Sequence, residues 1–211
     1  MSSSNRRMPL AQALACADRL RSLLSDSYHA SVQPRYVRWV IAGSCRRRTA
    51  DVGDIEHVVM PSICSEPVPG MLFGEQRVEL VSQRLDELHA AGTISRQIKS
   101  DGRQRWGPRY KALVFEGLGH ELFFARPDNW GAILAIRTGS ADYSHGLVTM
   151  LGDRGYAMRD GAVYRRGDSI DPNADDTLIP VRTEQHFFDL CGVDCVEPAQ
   201  REGWPKQRRP A

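Results

Sequence analysis

Hydrophobic spacing along the chain predicts its elements before any chemistry is considered. Leu10, Leu14, Ala17, Leu20 and Leu24 recur at helical intervals behind Pro9, a residue suited to a first turn, and predict an amphipathic helix within residues 9–31. Val37 to Ala42 alternates and branches like a strand, and Ile55 to Met60 reads as its partner until Pro61 ends it. Val78, Val81, Leu85 and Leu88 predict a second helix over 75–91, closed by Ala91-Gly92. Short strands follow around Ile94–Lys99, Arg109–Phe115 and Leu118–Ala125. A helix from about Asn129 to Arg137 is interrupted at Thr138-Gly139-Ser140; after it come a helix near Ser144–Arg154, a hairpin around Tyr156–Arg165 and a helix from Glu184 to Leu190. The order α-β-β-α-β-β-β, then a smaller mixed region, implies a sheet with helices on one side and a C-terminal lobe, divided near residue 130.

Composition narrows the class without naming a partner. At 211 residues, 41% apolar and 26% charged, the chain can bury a real core as one or two domains. Its net charge of +2 excludes a strongly basic body, but Arg46-Arg47-Arg48, the run Arg96–Lys111, Arg165-Arg166 and the tail Lys206–Arg209 are local basic clusters able to meet phosphate. No apolar run reaches the roughly 18 residues a membrane span needs, and no signal-peptide core follows the start, so a cytoplasmic protein with no membrane partner is expected. The five cysteines lack a C-x-x-C spacing and read as ordinary thiols in a reducing compartment.

The chemistry concentrates between residues 41 and 59. Asp54 and Glu56, one residue apart on a strand, share a face and repel, and a divalent cation relieves that repulsion. Oxygen-only ligation beside a triphosphate suits Mg²⁺ or Mn²⁺. Gly43 and Ser44 offer backbone N–H groups and a hydroxyl to phosphate oxygens, and Arg46–Arg48 supply positive charge, so the segment describes phosphoryl or nucleotidyl transfer. Glu121, an isolated acid in the apolar strand His120–Phe124, is there to meet a cation or a salt bridge, and it is the third carboxylate a two-metal site needs. His57 alternates away from that face and reads as a surface or packed histidine rather than a ligand. Trp106, among Arg103, Arg105 and Arg109, either stacks on a nucleic-acid base or packs its loop on the sheet.

Gly43-Ser44, nine residues, then Asp54-x-Glu56 resembles the nucleotidyltransferase superfamily pattern. More narrowly, residues 43–56 are similar to the GSxRRG…GD(I/M)D segment of the family X DNA polymerases, the polymerase beta type. In the same order, His120-Glu-Leu-Phe-Phe-Ala-Arg-Pro resembles that family's third-acid strand, and Trp130 to Tyr143 its palm-to-thumb junction with the Thr-Gly-Ser turn. Thr183 to Glu202 resembles its closing thumb segment. The resemblance implies an α+β fold: a nucleotidyltransferase-type mixed sheet with helices, the palm, over 1–130, then a small α/β thumb lobe over 131–211 with a basic C-terminal tail. It implies a DNA polymerase that adds deoxynucleotides to a primer 3′ end, filling short gaps in repair, with primer-template or gapped DNA and dNTP as partners, and a monomeric state.

The same resemblance implies roles. Ser44 and Arg47, with the Gly43 backbone, would hold the β- and γ-phosphates, and Gly53 would lie at the nucleotide. Asp54 and Glu56 would bind both metals, while Glu121 would bind the catalytic one and help activate the primer hydroxyl. Gly139 and Ser140 would form the turn under the sugar and base. Departures are specific. Two of the usual three Asp are Glu; Ile136-Arg137 replaces the Tyr-Phe that screens the sugar; Ser144 stands at the Asn that touches the incoming base. Too few residues precede Val37 for the usual fingers and lyase domains, so a reduced palm-plus-thumb form is expected. The alternatives are a nucleotidyltransferase acting on RNA, a protein or a small molecule, or a catalytically silent nucleic-acid-binding relative.

Overall fold

The computed structural model describes residues 7–25, 34–68, 70, 73–98, 101–167 and 176–208. In chain order the first elements are β1 (Met8–Pro9), α1 (Leu10–Ser25), β2 (Tyr36–Ile41), α2 (Gly43–Arg46), β3 (Asp51–Val52), β4 (Ile55–Pro61), β5 (Ile63–Pro67), β6 (Glu75–Glu79) and α3 (Leu80–Ala90). Then come β7 (Ser95–Arg96), β8 (Tyr110–Phe115), β9 (Leu118–Phe124), α4 (Trp130–Thr138), α5 (Ala141–Asp153), β10 (Tyr156–Arg159), β11 (Ala162–Arg165), β12 (Thr177–Ile179) and α6 (Glu184–Cys191). The result is a mixed α+β protein with several sheets, in two compact units: Met1–Val40 with Asp51–Phe124, and Ile41–Ala50 with Ala125–Ala211. The division therefore falls at Ala125 rather than 131, and segment 41–50 groups with the C-terminal unit although sequence order puts it before the boundary.

The first unit is built on a five-stranded sheet of order β2-β4-β9-β8-β7. Glu116 and Gly117, at φ 51° and 75°, make the tight turn between β8 and β9, and this two-residue connection fixes Phe115 opposite Leu118 and Ala112 opposite Glu121. β9 then runs parallel to β4, with Ile55 opposite His120 and Glu56 opposite Glu121. Alternation puts Ile55, His57 and Val59 on one face with His120, Leu122 and Phe124, and Glu56 and Val58 on the other with Glu121 and Phe123. Helix α1 covers the first face: Cys16 Sγ lies 3.5 Å from His120 Nε2, and His57 Nε2 lies 3.0 Å from His120 Nδ1. Burial holds both imidazoles neutral, His120 down to about 4 and His57 well below its ordinary value, and pushes the Cys16 thiol up to about 11.

The second helix of this unit is shorter than hydrophobic spacing predicts. Glu75–Glu79 forms β6, paired antiparallel to β5 with Ile63 opposite Glu79 and Pro67 opposite Glu75, and only then does α3 begin. Cross-strand partners for these residues outweigh the helix preference of Glu and Gln, and the Glu79 carboxylate caps α3 by accepting from the Ser82 N–H at 3.1 Å. Residues 26–31 of the first predicted helix and Lys99 of the predicted strand lie outside the described residues. Trp106 takes the packed reading. Its Nε1 donates to Asp86 at 2.9 Å, and the Arg96 guanidinium and Lys111 ammonium stand 4.7 and 5.2 Å from its ring. Lys111 itself is buried, which lowers its pKa, and it donates to the Gly107 carbonyl at 3.1 Å. No helix among the described residues is long and apolar enough to cross a membrane.

In the second unit, α4, α5 and α6 enclose a core that includes Ala132, Ala135, Leu147, Leu151, Phe187 and Phe188, and β10-β11-β12 form an antiparallel meander. The Thr183 hydroxyl caps α6 by accepting from the His186 N–H at 3.2 Å, and Gly192 ends it in the left-handed conformation. Gly131 near the start of α4 is demanded by space: a Cβ there would lie 2.1 Å from the Thr183 carbonyl oxygen. Gly131→Ala is expected to lower the unfolding free energy obtained from urea titration by an overpacking cost of about 1–3 kcal/mol. Gly107→Ala, whose Cβ would meet nothing nearer than 3.8 Å, serves as the near-neutral control in the same titration.

Candidate functional site

The acids of the first unit are delivered by strand register. β3 pairs with β1 and the chain bends at Gly53-Asp54 into β4, leaving Asp54 exposed and Glu56 half-buried as the second strand residue. Gly53 has nothing within 4 Å of where a Cβ would stand, so its backbone lies open. Glu56 and Glu121 are register partners on adjacent parallel strands and point from the same face. The Tyr110 hydroxyl donates to Glu121 Oε1 at 2.7 Å, reaching it because Tyr110 is two residues from Ala112, the residue opposite Glu121. Asp54 does not complete a preassembled metal cluster: among the described residues no three or more His, Cys, Asp or Glu side chains form a group that could hold a metal ion. The Glu56–Glu121 pair still fits a hard divalent cation, because Mg²⁺ takes one or two carboxylates and fills its octahedron with water and phosphate oxygens.

The Gly43-Ser44 segment and the Thr138–Ser140 turn meet in the second unit. Gly43, at φ 59°, opens the four-residue helix α2; Ser44 is half-buried within it, and Arg47 closes it. Arg46 Nη1 donates to Thr138 Oγ1 at 2.5 Å and to Glu184 Oε1 at 2.8 Å, while its Nη2 donates to Glu184 Oε2 at 2.5 Å. Arg47 Nη1 donates to the Thr138 carbonyl, and its Nε lies 3.4 Å from a Glu202 oxygen without hydrogen-bond geometry. Gly139 is at φ 71°, and a Cβ on it would stand 2.7 Å from Arg47 Nη1, so the turn and the guanidinium are packed together. The Ser140 N–H donates to the Arg201 carbonyl at 3.0 Å, and the buried Ser140 hydroxyl has no partner among the described residues. Ser144 turns inward and donates from its hydroxyl to the Ile136 carbonyl at 2.7 Å. Ile136 and Arg137 occupy the last turns of α4.

The residues that sequence reasoning passed over are the ones that organise this region. Arg201 Nη1 donates to Glu184 Oε1 at 2.6 Å, its Nε to the Val196 carbonyl at 3.0 Å, and its guanidinium stands 4.8 Å from the Phe188 ring. Burial drives the Glu184 carboxyl up, but donors from Arg46 and Arg201 outweigh it and hold its pKa below the ordinary glutamate value. Arg46, Glu184 and Arg201 are too far apart in sequence for spacing to pair them. Tyr110 was reachable, because the Glu116-Gly117 turn sets the register that carries its hydroxyl to Glu121.

Residues 133–202 match the family model of the DNA polymerase beta thumb, about a third of the 211 residues and all within the second unit. No curated protein matches the chain. The thumb match supports a relationship to the polymerase beta-like family X enzymes and points to interaction with DNA.

Glu184 gives this region an acid limit. Its folded pKa is depressed, so its contribution is complete above the ordinary glutamate range and is lost as pH falls through that range toward the folded value. Glu184→Gln leaves two half-satisfied guanidinium groups, Arg201 fully buried, and is expected to cost about 3–5 kcal/mol by urea denaturation at pH 7. The difference from wild type is expected to narrow as the titration is repeated from pH 5 down to pH 3.

Proposed function

We propose that the chain is a DNA polymerase of the polymerase beta type, adding deoxynucleotides to a primer 3′ end and filling short gaps in repair. The thumb match carries this reading, and the in-register carboxylate pair supplies the chemistry it requires. Glu56 and Glu121 would hold Mg²⁺ or Mn²⁺, with Asp54 joining them only at the bound metal, which would neutralise phosphate charge and acidify the attacking hydroxyl. The primer oxygen bonds to the α-phosphorus as the bond to the bridging oxygen breaks and pyrophosphate leaves; Glu121, oriented by the Tyr110 hydroxyl, receives the hydroxyl proton. The Gly43 N–H, the Ser44 hydroxyl and the Arg47 guanidinium take the β- and γ-phosphate oxygens, and open Gly53 lets the nucleotide approach the backbone. The Thr138–Ser140 turn, with Ile136 and Arg137 before it and Ser144 after it, forms the wall at sugar and base. Because Ser144 already spends its proton on Ile136, it meets the base as an acceptor. The chain acts as a monomer on primer-template or gapped DNA with dNTP.

Asp54→Ala and Glu121→Ala are each expected to lower primer extension at least about 100-fold while leaving gapped-DNA affinity roughly intact. Extension near the wild-type rate in both variants would sink the assignment of the acids.

Without an aromatic pair before the turn, exclusion of a ribose 2′-hydroxyl rests on backbone and on the Ile136 side chain. Burying that hydroxyl without a partner costs about 1–3 kcal/mol, so dNTP is expected to win over NTP by roughly 5- to 150-fold in direct competition on one gapped template. Equal incorporation would favour the reading as a transferase acting on RNA.

A further inference from the structure

The segment Gly203–Arg208 lies beyond the thumb match and is docked on the second unit as a strap. Gly146, in the middle of α5, makes room for it: a Cβ there would meet Pro205 Cδ at 2.3 Å and the Trp204 ring at 3.1 Å. Glycine inside a helix costs about 1 kcal/mol against alanine, so its presence at the contact marks the strap as specified by the helix it lies on. Val193 bridges to Gln207, the Arg208 N–H donates to the Gly192 carbonyl at 2.9 Å, and the Arg208 side chain pairs with Asp194 at 2.8 Å and Asp189 at 3.0 Å.

Strap and helix enclose an open cavity of about 620 Å³, with Tyr143, Val196, Gln200, Trp204, Lys206 and Gln207 among its walls. Tyr143 is buried, whereas Trp204 is left 52% exposed with the His145 ring edge-on at 5.7 Å. An indole plate, two amide side chains and an ammonium are complementary to the π-face, the donor and acceptor edge and the phosphate of a nucleotide unit. Asp194 and Glu202 on the same wall disfavour a track of successive phosphates, so the cavity suits one base rather than a length of backbone.

We propose that this cavity is a nucleobase-stacking subsite in which one unpaired base of a DNA strand lies on Trp204, with Gln200 and Gln207 at its edge and Lys206 at its phosphate. The proposal rests on the reading of the chain as a DNA-binding polymerase.

The test uses the full chain with a 5′-labelled single-stranded oligonucleotide in anisotropy, intrinsic tryptophan fluorescence during the same titration, dAMP as a free-nucleotide arm, and a gapped duplex. Base-on-aromatic stacking predicts roughly 5- to 100-fold weaker single-strand binding for Trp204→Leu, with loss of part of the quenching. Trp204→Tyr is expected to restore most of the affinity, and Gly146→Ala, which displaces the strap, to weaken it while the circular dichroism spectrum stays folded. Unchanged single-strand affinity in Trp204→Leu, with gapped duplex still bound and extended, overturns the subsite alone. Quenching of Trp204 by dAMP as tight as by the oligonucleotide overturns the strand as its occupant. Failure of the wild type to bind either oligonucleotide or gapped duplex overturns the subsite together with the wider reading.

Discussion

One carboxylate in the second unit holds two guanidinium groups. Glu184 accepts from Arg46 and Arg201, and Arg46 also donates to the Thr138 hydroxyl. Burying cations of this size costs several kcal/mol each unless their donors are met, and the arrangement meets them through a bidentate fork from Arg46, a shared oxygen for Arg201 and a carbonyl for the Arg201 Nε. Lysine could not substitute, because an ammonium presents no planar fork. This constraint explains why segment 41–50 belongs with α4 and α6. It also supports the Thr138–Ser140 turn, which receives Arg46 on a hydroxyl and Arg47 on a carbonyl and donates a backbone N–H to Arg201.

In the first unit the decisive constraint is the two-residue period of a strand. Because Glu56 and Glu121 are register partners, the residues on either side of each, His57 and His120 among them, fall on the opposite face. One face thus carries the two carboxylates, and the other packs His57 and His120 against α1, where burial keeps both imidazoles neutral. A slip of one residue in the β4–β9 register would exchange them, burying carboxylates under α1. The Glu116-Gly117 turn and the parallel pairing therefore decide where the two carboxylates stand.

Much of this was legible in the sequence because it is local. Alternation along Ile55–Met60 put His57 on the face away from Glu56, which the structure buries, and β8, β9, α4 and the β10–β11 hairpin fall within a few residues of where hydrophobic spacing predicts them. Glu75–Glu79 misled because its residues favour helix, and only pairing with Ile63–Pro67, which no local window contains, makes it a strand. Trp106 left two readings open because the partners that decide it, Asp86, Arg96 and Lys111, come from other elements. The candidate site divides the same way. Asp54 and Glu56 announce themselves by spacing, whereas Arg46, Glu184 and Arg201 become a unit only once the chain is folded.

Arg47 shows how magnitudes decide between two claims on one side chain. Its guanidinium carries N–H donors on three nitrogens; Nη1 is committed to the Thr138 carbonyl, and Nε faces a Glu202 carboxylate that is 63% exposed. An exposed ion pair without hydrogen-bond geometry contributes about 0–1 kcal/mol, whereas a charge-assisted bond to a phosphate oxygen contributes about 1.5–3 kcal/mol. On the proposed reading, a polyphosphate would therefore displace Glu202 without dislodging Thr138. The same arginine would then brace the turn and grip the proposed nucleotide at once, the exposed carboxylate being the contact that yields.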